Sequence, residues 1–241
     1  MPRKIDLITE LDKRTMKAIT SDSVAWRAFL HSAAYQYKYP FADQVLIYAQ
    51  RPYATACAET QLWNQHFGRW VKRGATGIAL IDGRGDKNYL KYVFDVSDTH
   101  DRDNKPFDIW GIKPEYEGDI IEALQNRFID DEKQREKISD AVIAAAINLG
   151  ADNITDYLHE LSYEKEGSFL EEYDEDNLRV RFLVTVQASV AYTVLTRLGF
   201  NAEPFVGAES FEWVHEFNTP ATVNILGTAT SDISEICLRE I

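Results

Sequence analysis

The stretch WVKRGATGIALI, residues 70–81, decides how this chain is read. It is rich in β-branched and aromatic residues and is interrupted by Gly74 and Gly77, which predicts two short strands joined by a turn. A clearer strand follows at KYVFDV, residues 91–96, where Tyr92, Phe94 and Val96 alternate with Val93 and Asp95 in a partly buried pattern. Together these segments predict a small antiparallel sheet. Gly83, Arg84, Gly85 and Asp86 read as a turn and residues 97–108 (SDTHDRDNKPFD) as polar loop, with a soft boundary between about 105 and 116.

Upstream of the sheet the pattern is helical. Residues 3–20 mix Ile5, Ile8, Leu11 and Met16 with charges, as a short amphipathic helix does. Ser21, Asp22 and Ser23 offer N-caps for a second helix carrying Val24, Trp26, Phe29, Leu30 and Ala33. That helix should stop near Tyr39, because Pro40 pushes its predecessor out of the helical region. Residues 41–50 (FADQVLIYAQ) form a third helix, ended before Pro52, and residues 59–67 a fourth.

Downstream, residues 119–128, 132–149 and 153–161 all look helical, with Ile138, Val142, Ala145 and Leu149 at helical spacing. An acidic connection at 164–176 leads to a long apolar helix over 179–198, which Gly199 caps. Thr219 and Pro220 supply the cap and first residue of a last helix. It still carries Ile233, Ile236 and Ile241 at the end of the chain, which predicts a longer parent protein with further C-terminal domains. The fold class expected is α+β, with helices around a small antiparallel sheet in residues 1–110 and a mainly helical region in 111–241.

Composition narrows the function. The 241 residues, 45% of them hydrophobic, suffice for one substantial core or two modest ones. No signal-like start is evident and no apolar run approaches the roughly 20 residues of a membrane span, so a soluble, cytoplasmic protein with no membrane partner is expected. Cys57 and Cys237 stand far apart without a CxxC partner, which indicates neither a disulfide framework nor a cysteine zinc site. The net charge of -13 argues against indiscriminate attraction to a polyanion. Its distribution is uneven: residues 1–91 hold 14 Lys and Arg against 8 Asp and Glu, and residues 92–241 hold 12 against 31. Any nucleic acid should therefore meet the first ninety or so residues.

The segments LIYAQRP (46–52), Trp63, GRWVKRGATGIALI (68–81) and YVFDVSDT (92–99), in this order and spacing, resemble the N-terminal domain of the ArdC-type antirestriction proteins of mobile elements. The likeness covers most of residues 20–100. It implies a compact α/β domain that binds single-stranded DNA and protects an incoming strand from host restriction, as found at the start of large conjugative-element proteins. Arg51, Arg69, Lys72, Arg73, Arg84, Lys87 and Lys91 then become candidate phosphate contacts, joined by Gln50, while Tyr48, Trp63, Trp70 and Tyr89 offer faces for unpaired bases. Stacking needs no sequence readout, so binding should be sequence-tolerant. Trp63 and Trp70 are equally suited to anchoring helices on the sheet. Asp43 departs from the family pattern, where Asn is expected, and its carboxylate would repel a phosphate.

ArdC proteins usually continue into a zinc-peptidase-like domain with an HExxH helix, in which two His bind the metal and Glu activates water. The similar stretch here is LHELSY, residues 158–163, where His159 and Glu160 stand but Tyr163 replaces the second His. The later helix, at Ala188, Val190 and Ala191, carries no acidic third ligand. The resemblance thus implies a degenerate peptidase with no catalytic residues, no metal and no cofactor, unless the His-Glu pair is a coincidence on an ordinary surface helix. GxxxxGK[ST], GxGxxG and GxSxG are not found. The acidic run Glu171, Glu172, Asp174, Glu175, Asp176 lacks the alternating spacing of a calcium loop. Two other readings stay open: an acidic module that binds a host restriction or defence protein or mimics DNA for it, and a metallopeptidase with unusual ligands.

Overall fold

The computed structural model describes residues 3–84, 87–103 and 105–241. Three helices open the chain, α1 (Lys4–Ile19), α2 (Ser23–Tyr35) and α3 (Phe41–Gln50). Asp22 caps α2 by accepting from the amides of Val24 and Ala25, each at 2.8 Å. The helix ends at Tyr35, short of the expected Tyr39. Gln36 is buried there, and its side chain donates to the carbonyl of Ala54 while its own carbonyl accepts from Gln44. That tertiary bonding turns the chain before Pro40 does.

The sheet region follows: β1 (Cys57–Ala58), α4 (Thr60–His66), β2 (Trp70–Val71), β3 (Ile78–Arg84), β4 (Lys87–Asp95) and β5 (Thr99–His100). β1, β4 and β3 form one antiparallel sheet in that order, and β2 pairs separately with β5. Residues 70–81 thus do hold two strand segments, but they do not pair with each other. Gly74, at φ +85°, turns the chain. The amide of Lys72 meets the carbonyl of Asp98 at 2.8 Å, extending the β2–β5 pairing instead of starting a hairpin. β4 begins earlier than expected and includes Tyr89. The turn expected at 83–86 lies partly outside the described residues, as do the side chains of Arg84 and Lys87.

Five helices complete the chain: α5 (Glu117–Phe128), α6 (Ile138–Asn153), α7 (Thr155–Glu164), α8 (Glu175–Arg197) and α9 (Pro220–Glu240). The result is a mixed α+β fold, a small antiparallel sheet followed by a mostly helical region. Its main core runs across the expected boundary near residue 110: Trp26 and Phe29 of α2 and Phe41 of α3 pack with Val142, Phe182, Val190 and Leu226. Three polar contacts tie the same elements together. The Trp26 indole donates to the Ser189 hydroxyl (2.9 Å), the Thr20 hydroxyl to the carbonyl of Phe217 (2.7 Å), and the Gln44 amide to the Ser231 hydroxyl (2.9 Å). α3 and α9 come so close that a Cβ at Gly227 would strike the Phe41 ring.

A second, smaller core lies under the hairpin, where Ile8, Leu46 and Ile47 meet Ile78, Leu80 and Val93. One expectation needs correcting: α8 is long and apolar enough to cross a membrane by length and composition. In this fold 61% of that window is buried inside the protein, as in a core helix.

Candidate nucleic-acid interface

Several of the expected contact residues hold the sheet region together. Trp63 is 1% exposed and its indole donates to the carbonyl of Phe94 at 2.8 Å, so its faces are closed to a base. Arg69 is 7% exposed; its Nε donates to the Thr99 hydroxyl at 2.8 Å and Nη1 to the carbonyl of Lys105 at 3.1 Å. The Gln50 amide donates to the carbonyl of Ala79 (2.8 Å) and accepts from its amide (2.9 Å), so a side chain pairs with β3 as a neighbouring strand would. Arg51 pairs with Asp98 at 2.5 Å. Lys91 pairs at 2.8 Å with Asp43, and each neutralises the other.

Tyr48 lies apart, with its ring edge-on to Phe29 at 5.7 Å, beside a pocket it shares with His31, Tyr53 and Tyr192. Tyr89 is 53% exposed on β4. Trp70, Lys72 and Arg73 come together with residues that read as polar loop. Lys72 and Arg73 are exposed at the turn after β2, and Lys72 Nζ reaches the carbonyl of Ser97 at 2.8 Å. The Trp70 ring lies 6.3 Å from that of His100, with the Arg102 guanidinium over it at 5.6 Å. Lys105 adds a cation, paired at 3.2 Å with Asp103, and both side chains are largely exposed, so solvent and salt weaken that pair. Arg69, Lys72, His100, Lys105 and Phe107 line a cleft of about 390 Å³.

Phe107 also lines a second groove, of about 400 Å³, whose walls include Tyr35, Tyr37, Phe67 and Trp110. Phe107 packs edge-on to both Trp63 and Phe67, and the Arg69 guanidinium lies over it at 5.7 Å. Arg197, at the end of α8, lies over the Trp110 ring at 4.8 Å and donates to the Trp110 carbonyl at 2.9 Å. Burial pushes the Cys57 thiol in this groove up to about 12, so at neutral pH it is a neutral thiol, not a nucleophile. Reading the sequence missed His100, Arg102, Lys105, Phe107, Trp110 and Arg197; for all but Arg197 the signal present was the aromatics and cations interspersed with aspartates in HDRDNKPFDIW, residues 100–110.

On α7, the His159 ring stacks edge-on to Tyr163 at 4.9 Å; both are exposed, while Leu161 faces the core. Among the described residues, no three His, Cys, Asp or Glu side chains converge as metal ligands. Compared with protein-family models, with curated proteins and with solved structures, the chain matches none.

Proposed function

We propose that this chain binds single-stranded DNA without sequence readout, as a non-catalytic module of a mobile-element antirestriction or conjugation protein. The observation that carries the reading is the cleft beside β2 and β5. Lys72, His100 and Lys105 line it, Arg73 is exposed on the adjoining turn and Arg102 lies over the Trp70 ring, in a chain whose overall charge is strongly negative. Cations grouped around a half-buried aromatic suit a phosphate backbone with a stacked base. The resemblance of residues 39–99 to the ArdC N-terminal domain supports the same reading. In it, His159 and Glu160 are the vestige of a peptidase helix, and the purified protein should hydrolyse nothing and retain no stoichiometric zinc.

Fluorescence anisotropy with a labelled single strand and its duplex, at several salt concentrations, tests this. Neutralising about four phosphates gives a log-log salt slope near roughly -3 for a single strand, and the Lys72→Ala, Arg73→Ala double variant should flatten it by about one unit or slightly more. An unchanged slope removes those two residues from the interface. No binding of either nucleic acid at low salt sinks the reading and turns attention to the acidic helical half as a protein-binding surface.

A further inference from the structure

Resting on the single-strand reading, we infer that the aromatic groove beyond Phe107 takes the unpaired bases, and that this groove is what distinguishes a single strand from a duplex. Its walls are flat rings held open to solvent: Trp110 is 49% exposed and Phe67 47%. Its volume is within the range of clefts that hold small aromatic ligands. Two cations stand at its walls. Lys38 Nζ lies 5.5 Å above the Tyr37 ring, and the Arg197 guanidinium lies 5.8 Å from the same ring on its way to Trp110. One lining carboxylate, Asp108, opposes them, which leaves the groove with a small positive balance suited to bases carried on a phosphate backbone.

Inside, the Tyr35 and Tyr37 hydroxyls and the neutral Cys57 thiol can meet base edges without selecting one base, whereas the Tyr39 hydroxyl is taken up by the carbonyl of Cys57. Because Phe107 lines both clefts, a strand whose phosphates lie over Lys72 and Lys105 has its bases directed into this groove. A duplex keeps its base faces stacked on one another and meets only the cations. Arg197 belongs to the acidic half of the chain, so the site spans both halves, as does the core beneath it.

The test uses the whole chain with a labelled oligo-dT of about 20 nucleotides and its duplex with oligo-dA, read by anisotropy and by tryptophan fluorescence. Trp110→Ala should weaken single-strand binding about tenfold, the effect of losing one stacked base, and leave duplex binding and the salt slope unchanged. Trp110→Phe should restore most of the affinity but reduce the fluorescence quenching, leaving the share that Trp70 contributes. Lys38→Glu, on an exposed side chain that the fold does not need, should weaken the single strand independently of any effect on folding. If the wild-type chain binds oligo-dT and neither Trp110→Ala nor Lys38→Glu changes it, the groove assignment falls while single-strand binding stands. If Trp110→Ala weakens strand and duplex equally, the discrimination falls. If oligo-dT does not bind at low salt, both the groove assignment and the single-strand reading fall.

Discussion

The two hydrophobic cores of this protein are built by different means. The helical core is volume-filling: Trp26, Phe182, Val190, Leu195 and Leu226 are all fully buried, and the polar groups that enter it are mostly small hydroxyls, such as those of Ser189, Thr193, Thr222 and Ser234. The core under the hairpin is small, and its surroundings are fixed by directional polar contacts. Gln50 borders β3, Arg51 meets Asp98, Lys91 meets Asp43, and Asp95 gathers amides from two segments. A small core buries too little apolar surface to fix its parts by packing alone, so hydrogen bonds define their placement. That lobe carries the proposed strand-binding cleft, where side-chain position matters more than bulk stability. The helical region should therefore respond to lost volume, and the sheet region to lost hydrogen bonds and to pH.

The largest effect should come from Trp26→Ala. It empties a fully buried site between α2 and α8 and leaves the Ser189 hydroxyl without its indole donor. A loss of about 3–5 kcal/mol is expected in urea unfolding, within the range for large aromatic truncations in cores. Because Trp26 precedes and Ser189 follows residue 110, one cooperative transition should shift as a whole. Two separate transitions, with only one of them moved, would show that the halves fold independently.

The contrast also explains what was legible in the sequence. Helices α2, α3 and α8 were readable because signals at one end of each are local: the Asp22 cap before α2, Pro52 after α3, and Gly199 at φ +88° after α8. The pairing of Trp70–Val71 with Thr99–His100 was not readable, since a two-residue strand has no periodicity and its partner sits in a segment of polar composition. At the candidate site, Trp70, Lys72 and Arg73 were visible as aromatic and cations around a glycine turn. Arg51 and Lys91 looked the same in sequence, yet the fold brings Asp98 and Asp43 against them. Arg197 was hidden because it ends a helix that otherwise reads as core.

An intermediate effect should follow Gln50→Ala. Ala79 is 1% exposed, and its amide and carbonyl both bond the Gln50 side chain, so truncation leaves two buried backbone groups without those partners. The expected cost is about 1–3 kcal/mol. Amide exchange should rise in β3 and β4 well before it rises in α8. A uniform rise across the molecule would show that the hairpin lobe has no separate opening, and the comparison between the two regions would lose its energetic content.

The smallest effect, and the one most specific to the sheet region, concerns acid. Burial pushes the Asp95 carboxyl up, but the Ser97 hydroxyl and amide and the amides of Ala56 and Thr55 outweigh it and hold the carboxyl below its ordinary value. A carboxyl depressed in the folded state contributes stability that is fully present above its unfolded value, near 4, and is lost as pH falls through the folded value. Asp12 works in the opposite sense, because burial raises it, and the caps Asp22 and Asp174 share the window of Asp95. Only the difference between the wild type and Asp95→Asn isolates the one group. At neutral pH the variant should be less stable by about 1 kcal/mol or less, since Asn keeps one acceptor where two oxygens served. Urea midpoints should converge as pH falls from about 5 towards 3. A gap that stays constant over that range would mean that the charge on Asp95 contributes nothing, and that hydrogen-bond geometry alone ties β4 to the segment before β1.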